Sequence, residues 1–287
     1  MGHSLSRLVG RTLVILLISG LVGAMLVRHA PGFNSDDQTL DPRLSAQSRE
    51  ALEQQRAGQR SAVLYYLQFL WKATRGELGK SEALGQPVAQ LIRERVPRTL
   101  HTVAEGLLGG WFIAVLLATA SALTRHPGPS LIGMAGCGSL LSIPSSLLAT
   151  VCLLLRLPPS AAIVAVVFPR VFPHVYEQLR AANERPHVLM ARSRGIWAGR
   201  LFLFYVVPTA LAPILAIGGL SVTLAFGASI PVEALADSPG LGQLAWQAAL
   251  GRDMPVLVSI TLMSTAITVF ANLLADAVTV RLGRRSP

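Results

Sequence analysis

Six stretches of this chain, residues 12–27, 104–123, 131–155, 161–176, 208–230 and 255–280, are long and apolar enough to need burial along most of their length. About 20 such residues carry a helix across a bilayer, and the shorter runs reach that length once their flanks are counted. A chain of 287 residues could otherwise hold about two soluble domains, but 52% of its residues are apolar and little sequence is left to build one. The expected fold is an all-α polytopic membrane protein with six transmembrane helices.

Charge supplies the orientation. The chain carries 25 Lys+Arg against 15 Asp+Glu, net +10, and only Lys72 and Lys80 are lysine. Arg7, Arg11, Arg125, Arg180, Arg185, Arg192, Arg194, Arg200, Arg281, Arg284 and Arg285 fall on one side of the six-span topology. Only Arg156 and Arg252 occupy the short loops of the other. Basic residues in short loops mark the cytoplasmic face, so both termini are expected inside. The polar segment 28–98 has 11 basic and 8 acidic residues, but it is too long for that rule to govern. The run 12–27 reads as an uncleaved first helix, because no A-x-A cleavage site follows it. No basic stripe with interleaved aromatics lies outside the spans, which argues against nucleic-acid binding.

This gives three regions: 1–27, the N-terminus and first transmembrane helix; 28–98, an extracytoplasmic segment with amphipathic helices; and 99–287, a five-helix core containing the cytoplasmic loop 176–207. Within 28–98, residues 61–74 place Leu64, Leu67, Phe69, Leu70 and Trp71 in a pattern suited to an interfacial helix. In the third span, Ser142-Ile143-Pro144-Ser145 predicts a break, since proline removes a backbone donor. Such a break lines a cavity or is a simple kink satisfied by a serine hydroxyl. Pro169 and Pro173 are expected to interrupt the fourth span, which also carries Arg170. Glu105, Arg170 and Asp276 are ionisable groups at or near membrane depth and so candidates for the transport path. Glu105 and Asp276 also lie close to span ends, where they could simply be solvated. Asn272 and Asp276, four apart, share a helix face expected to meet another subunit. Cys137 and Cys152, 15 apart, would be about 22 Å apart on one straight helix, too far for a disulfide. No metal-ligand spacing is present.

The loop 176–207 and its sequel resemble the cytoplasmic coupling loop of importer-type ABC permeases, written E-A-A, three residues, Gly, nine residues, I-x-L-P. Met190-Ala191 stands at the paired alanines, Gly195 at the glycine and Pro208 at the proline; Leu189, Tyr205 and Val207 depart from the pattern. Ala191-Arg192-Ser193-Arg194-Gly195 and Thr209-Ala210-Leu211-Ala212-Pro213 are similar to the A-R-A-K-G and N-A-L-L-P of the dipeptide and oligopeptide branch. Gly76-Glu77-Leu78-Gly79-Lys80-Ser81, then Pro87-Val88 and Arg95-Val96-Pro97-Arg98-Thr99-Leu100, resemble that branch's G-D-L-G-x-S, P-V and R-x-P-x-T-L. Pro239-Gly240-Leu241-Gly242 and Arg252-Asp253-Met254-Pro255-Val256 resemble its P-G-L-G and R-D-x-P-V.

The resemblance implies a type I ABC permease fold in a bacterial inner membrane, crossed several times, with no catalytic residue in this chain. It implies a second homologous permease subunit, two ATP-binding cassette subunits that hold the ATP and Mg, and an extracytoplasmic solute-binding protein; no cofactor or metal is expected here. Ala191, Arg192, Arg194, Gly195 and Pro208 would couple to the ATPases. Ser142, Pro144, Ser145, Glu105 and Asp276 are the path or gate candidates, and Pro239, Gly240, Leu241, Gly242 and Asp253 form the outer loop motif. Di- or oligopeptides are the expected cargo, with nickel complexes or glutathione as alternatives. Two other classes compete. An intramembrane protease would need G-x-S-G or H-E-x-x-H, and neither is present. A channel or secondary transporter would show inverted repeats, and no convincing repeat is found. Gly79-Lys80-Ser81 lacks the first glycine of a P-loop.

Overall fold

A computed structural model describes residues 14, 15, 17–23, 25, 62–124 and 127–283. Arg7, Arg11, Arg125, Arg284, Arg285 and all of 28–61 lie outside the described residues. The described chain is all-helical, apart from a single bridge between Lys80 and Pro87. Helices follow as α1 (Ala62–Ala73), α2 (Val88–Thr124), α3 (Pro127–Leu141), α4 (Ser145–Leu154), α5 (Pro159–Asn183), α6 (Pro186–Ser193) and α7 (Ala198–Leu201). A π turn, Phe202–Val206, leads into α8 (Val207–Leu235), α9 (Leu241–Leu250) and α10 (Met254–Gly283).

Among the described residues four helical stretches are long and apolar enough to cross a membrane: Val88–Leu123, Pro159–Asn183, Ala198–Leu235 and Met254–Thr279. Helices α3 and α4 add a fifth if the bent pair counts as one span. The expected first span lies partly outside the described residues; 14, 15, 17–23 and 25 are helical. Large apolar side chains such as Leu108, Phe112, Ile132, Leu154, Leu220 and Phe270 are exposed on the chain. In water such surfaces would aggregate; in lipid they are the solvent-facing side.

The chain divides into two compact units. The first comprises the described residues up to Arg95 together with Leu244–Ala266, and the second Val96–Gln243 with the chain from Ile267. In the first, Tyr66 and Phe69 of α1 pack with Met254 and Val258 of α10, flanked by Leu21 and Leu262. The Tyr66 phenol has no hydrogen-bond partner among the described residues, and burial raises its pKa.

In the second unit α5 is the most enclosed of the apolar helices. Ile163, Val167, Val171, Phe172 and Val175 recur at helical spacing and are fully or almost fully buried. Against them pack Ala114 and Ala118 of α2, Cys137 of α3 and Ala210 and Ala225 of α8. Phe168, Phe172 and Tyr176 form a ladder with ring centroids 5.7 and 6.0 Å apart.

Several expected limits change. Pro169 and Pro173 do not interrupt α5, which runs unbroken for 25 residues. Packing of its Val167, Val171, Phe172 and Val175 face holds the helix together where two backbone bonds are lost, and Pro169 is itself buried. The segment expected as an outer loop, 231–254, holds the last turn of α8 and all of α9. The two cysteines lie on the two arms of a bend rather than on one straight helix, and both are free thiols.

Candidate functional site

Three arrangements contain the residues singled out by sequence. The first is the loop after α5. Pro186 starts α6 with its fixed φ and its missing donor, where neither is a handicap. Val188 and Ala191 face the core, while Leu189 and Met190 face out, Met190 with 58% of its surface exposed. The helix stops at Gly195, whose φ of +74° is a left-handed value that a side chain would strain, and whose N–H donates to the Arg192 carbonyl (3.0 Å). Nothing lies within 4 Å of where a Gly195 Cβ would be, so that corner faces open space.

Arg192 is half-buried and its Nη2 donates to Asn183 Oδ1 (3.2 Å), tying α6 back to the end of α5. Arg194 and Arg200 are exposed. Between them Trp197 is 78% exposed, its ring lying against Gly199. Pro208 follows the π turn, where the Val207 N–H reaches the Phe202 carbonyl five residues back. A proline cannot donate to the residue four before it, and a π turn is one way for the helix to absorb that loss. His187 Nε2 lies 3.3 Å from Thr209 Oγ1, linking α6 to the start of α8.

The second arrangement is the break in the third span. The axes of the α3 and α4 segments differ by 103°. Pro144 caps α4 with extended backbone and no side-chain hydrogen bond. Ser142 Oγ donates to the Gly138 carbonyl (2.9 Å), whereas the Leu140 carbonyl, to which Pro144 cannot donate, accepts the Ile143 N–H (3.3 Å); the serine hydroxyl does not mend the break, and the bend far exceeds a kink. A cavity of about 430 Å³ opens at the break, bordered by Ser142, Pro144, Ser145, Arg170, Thr223 and Gly227 among others. Glu105 and Asp276 do not border it: Glu105 is exposed on α2 with His101 Nε2 3.6 Å away, and Asp276 is exposed on α10. Asn272 faces α8 of its own chain, donating to Thr223 Oγ1 (3.2 Å), rather than a face reserved for another subunit.

The third arrangement explains the outer motif. Glu233, in the last turn of α8, has no exposed surface; its Oε2 accepts from Thr99 Oγ1 (3.0 Å) and the Gly242 N–H (2.7 Å). Thr99 Oγ1 in turn accepts from the Leu241 N–H (2.7 Å). Gly240 and Gly242 press on the Glu233 carboxyl so closely that a Cβ at either would overlap it or its surroundings. The P-G-L-G run is therefore a backbone cradle for a buried carboxylate. Asp253 is 1% exposed; its carboxyl accepts from Ser81 Oγ, the Ala83 N–H (3.2 Å) and the Val256 N–H (3.3 Å), the last capping α10. Glu233, Thr99 and Ser81 escaped the sequence reading as individual sites. Glu233 sits between Pro231 and Asp237 in a stretch that reads as a surface loop.

An all-helical subunit with long apolar spans, a short exposed helix ending at a left-handed glycine, and a broken span beside a cavity has the parts of a membrane transport permease. The chain belongs to the family described as Binding-protein-dependent transport system inner membrane component, which residues 106–286 match. It is thus a multi-pass inner-membrane protein and a transport subunit. It is 25% identical to the Oligopeptide transport system permease protein AppB of Bacillus subtilis (strain 168), over 94% of this chain and 95% of that one. It is 24% identical to the Glutathione transport system permease protein GsiC of Pectobacterium atrosepticum (strain SCRI 1043), over 96% of this chain and 95% of the relative.

Proposed function

We propose that this chain is one permease half of an ATP-driven importer of di- or oligopeptides, with six membrane spans and both termini cytoplasmic. It forms the path with a second, homologous permease. Two separate ATP-binding cassette subunits supply the energy and hold ATP and Mg, an extracytoplasmic binding protein delivers the cargo, and this chain itself binds no cofactor.

The observation that carries the reading is the geometry of α6 and its exit. A short helix anchored through Val188, Ala191 and Arg192 offers Leu189, Met190 and Trp197 outward, with Arg194 and Arg200 beside them. Exposed apolar anchors rimmed by like charge suit a groove with acidic edges on a partner protein. Because α6 is tied at both ends, to Asn183 and to Thr209, a push on it is passed to α5 and α8. Ala191, Arg192, Arg194, Gly195 and Pro208 act in this coupling. Ser142, Pro144 and Ser145 line the path; Glu105 and Asp276, which do not border the cavity, are the remaining path candidates. Pro239, Gly240, Leu241, Gly242 and Asp253 hold the outer end in shape for the binding protein.

The test is co-purification of this chain with the subunits encoded beside it, followed by ATPase and peptide-uptake assays in proteoliposomes for wild type and Gly195→Trp. Associated ATPase activity that the substitution uncouples or dissociates supports the reading. An ATPase that never associates, with the variant behaving as wild type, sinks it. The glutathione permease among the relatives favours a second cargo, and a screen of tripeptides against glutathione decides between them.

A further inference from the structure

We propose that Arg170, at the cavity beside the broken span, is a binding site for a carboxylate of the transported solute, the terminal carboxylate in the case of a peptide. The inference rests on the importer reading and adds a contact in the permease itself.

Arg170 is the twelfth residue of the 25-residue α5, about 17 Å along the helix from its start, so it sits near the middle of a span. A cation at that depth is costly and is kept where it meets water, an anion or a path. The helix around it is the most enclosed of the apolar helices, yet Arg170 is exposed on this chain and borders the cavity of about 430 Å³. No Asp or Glu borders that cavity, and no salt bridge to Arg170 is found among the described residues. The volume falls in the range of small-ligand pockets, about 300–1,000 Å³.

Arg170 is the charged side chain at the cavity, and a carboxylate there would fall to it, because Ser142 and Thr223 spend their hydroxyl protons on the carbonyls of Gly138 and Gly219, at 2.9 and 3.1 Å. Ser145, which borders the same space, opens α4, whose first turn receives no side-chain cap and carries the positive end of the helix dipole. A guanidinium offers a carboxylate two parallel hydrogen bonds, a geometry that a lysine cannot copy. The cavity thus combines one strong cationic fork with an uncapped helix start and no competing anion.

The experiment reads charge at the cavity directly. In a Cys137→Ala, Cys152→Ala background, Ser145→Cys is introduced into the full chain, which is purified with whatever subunits accompany it, placed in proteoliposomes and reacted with anionic sulfonatoethyl and cationic trimethylammonioethyl methanethiosulfonate. With Arg170 intact the anionic-to-cationic rate ratio is expected to be about tenfold higher than in R170M, and R170K, which keeps the charge, should retain much of the preference. Millimolar trialanine should slow the labelling while its C-terminal amide does not, and R170M should erase that difference. Equal ratios with and without Arg170 overturn the site, pointing instead to neutralisation by a carboxylate of the neighbouring permease. Equal protection by acid and amide also overturns it. ATPase association is scored on the same samples. A charge preference without any ATPase keeps the anion site and sinks the importer reading; associated ATPase with unchanged ratios does the reverse.

Discussion

The hydroxyl of Ser81 donates to the carboxyl of Asp253, 172 positions later in the chain. Two short sequence runs that look like separate loop signatures are therefore one joint. Ser81 Oγ also accepts the Leu84 N–H (2.9 Å), and Asp253 caps α10 through Val256, so the joint fixes the turn before α2 and the start of the last helix together. A buried carboxylate held by three donors is costly to remove, because each donor is then left without its acceptor.

Asp253→Ala should lower stability by about 3 kcal/mol, the sum expected for a lost cap and stranded buried donors. Asp253→Asn, which keeps one acceptor oxygen, should lose less. Thermal unfolding of the purified complex in detergent checks this. Equal melting temperatures for wild type and D253A would show that the joint holds nothing.

Glu233 and Gly240 should behave as a coupled pair. Gly240→Ala drives a methyl group into the Glu233 carboxyl, and Glu233→Ala strands Thr99 and the Gly242 N–H. Each alone should destabilise by about 2 kcal/mol. In the double variant the overlap is gone, so the combined loss should fall short of the sum by at least about 0.5 kcal/mol. Strict additivity would mean that the glycine is not there to admit the carboxylate.

The parts legible in the sequence are those where one residue dictates backbone. Pro144 marks a break that appears where expected, and Gly195, aligned with the glycine of the coupling-loop pattern, takes the left-handed turn that a glycine permits. What pattern could not show is where a polar residue points. Glu233 reads as one more acid in an outer loop, because a lone carboxylate among Pro, Gly and Ser looks the same whether solvated or buried; only the fold brings Thr99 to it across 134 positions. Pro169 and Pro173 mislead for the opposite reason, since packing around α5 overrides a local preference against helix. Arg192, named with Arg194 among the residues that would couple to the ATPases, is drawn inward by Asn183 nine residues before it, a tertiary bond that composition does not reveal.

At the coupling loop, two substitutions should separate folding from docking. Gly195→Ala adds only the strain of a left-handed residue, about 1 kcal/mol, into open space, and should leave coupling nearly intact. Trp197→Ala removes a side chain that is mostly outside the fold, so stability should change by less than about 0.5 kcal/mol while association with the ATPase weakens about tenfold or more. Pull-down of the ATPase against permease melting temperature measures both. A W197A protein that melts early yet binds normally would assign the ring to the fold instead.

Neighbouring glycines on α8 give a sharper contrast. A Cβ on Gly219 would come within 2.8 Å of the Asn272 Cα on α10, backbone that no rotamer change can move, whereas a Cβ on Gly218 would meet nothing within 4 Å. Close helix approach in lipid depends on such small residues, and here it also brings Asn272 within bonding distance of Thr223. Gly218→Ala should therefore be neutral or stabilising by up to about 1 kcal/mol, from helix propensity alone. Gly219→Ala should cost about 1–3 kcal/mol, as overpacking does, and should break the Asn272 to Thr223 bond. Adding Asn272→Ala to the Gly219→Ala protein should then cost less than it does in wild type, because the bond it removes is already lost. Melting temperatures of the single and double variants read this, and equal responses of Gly218 and Gly219 would exclude the observed contact between α8 and α10.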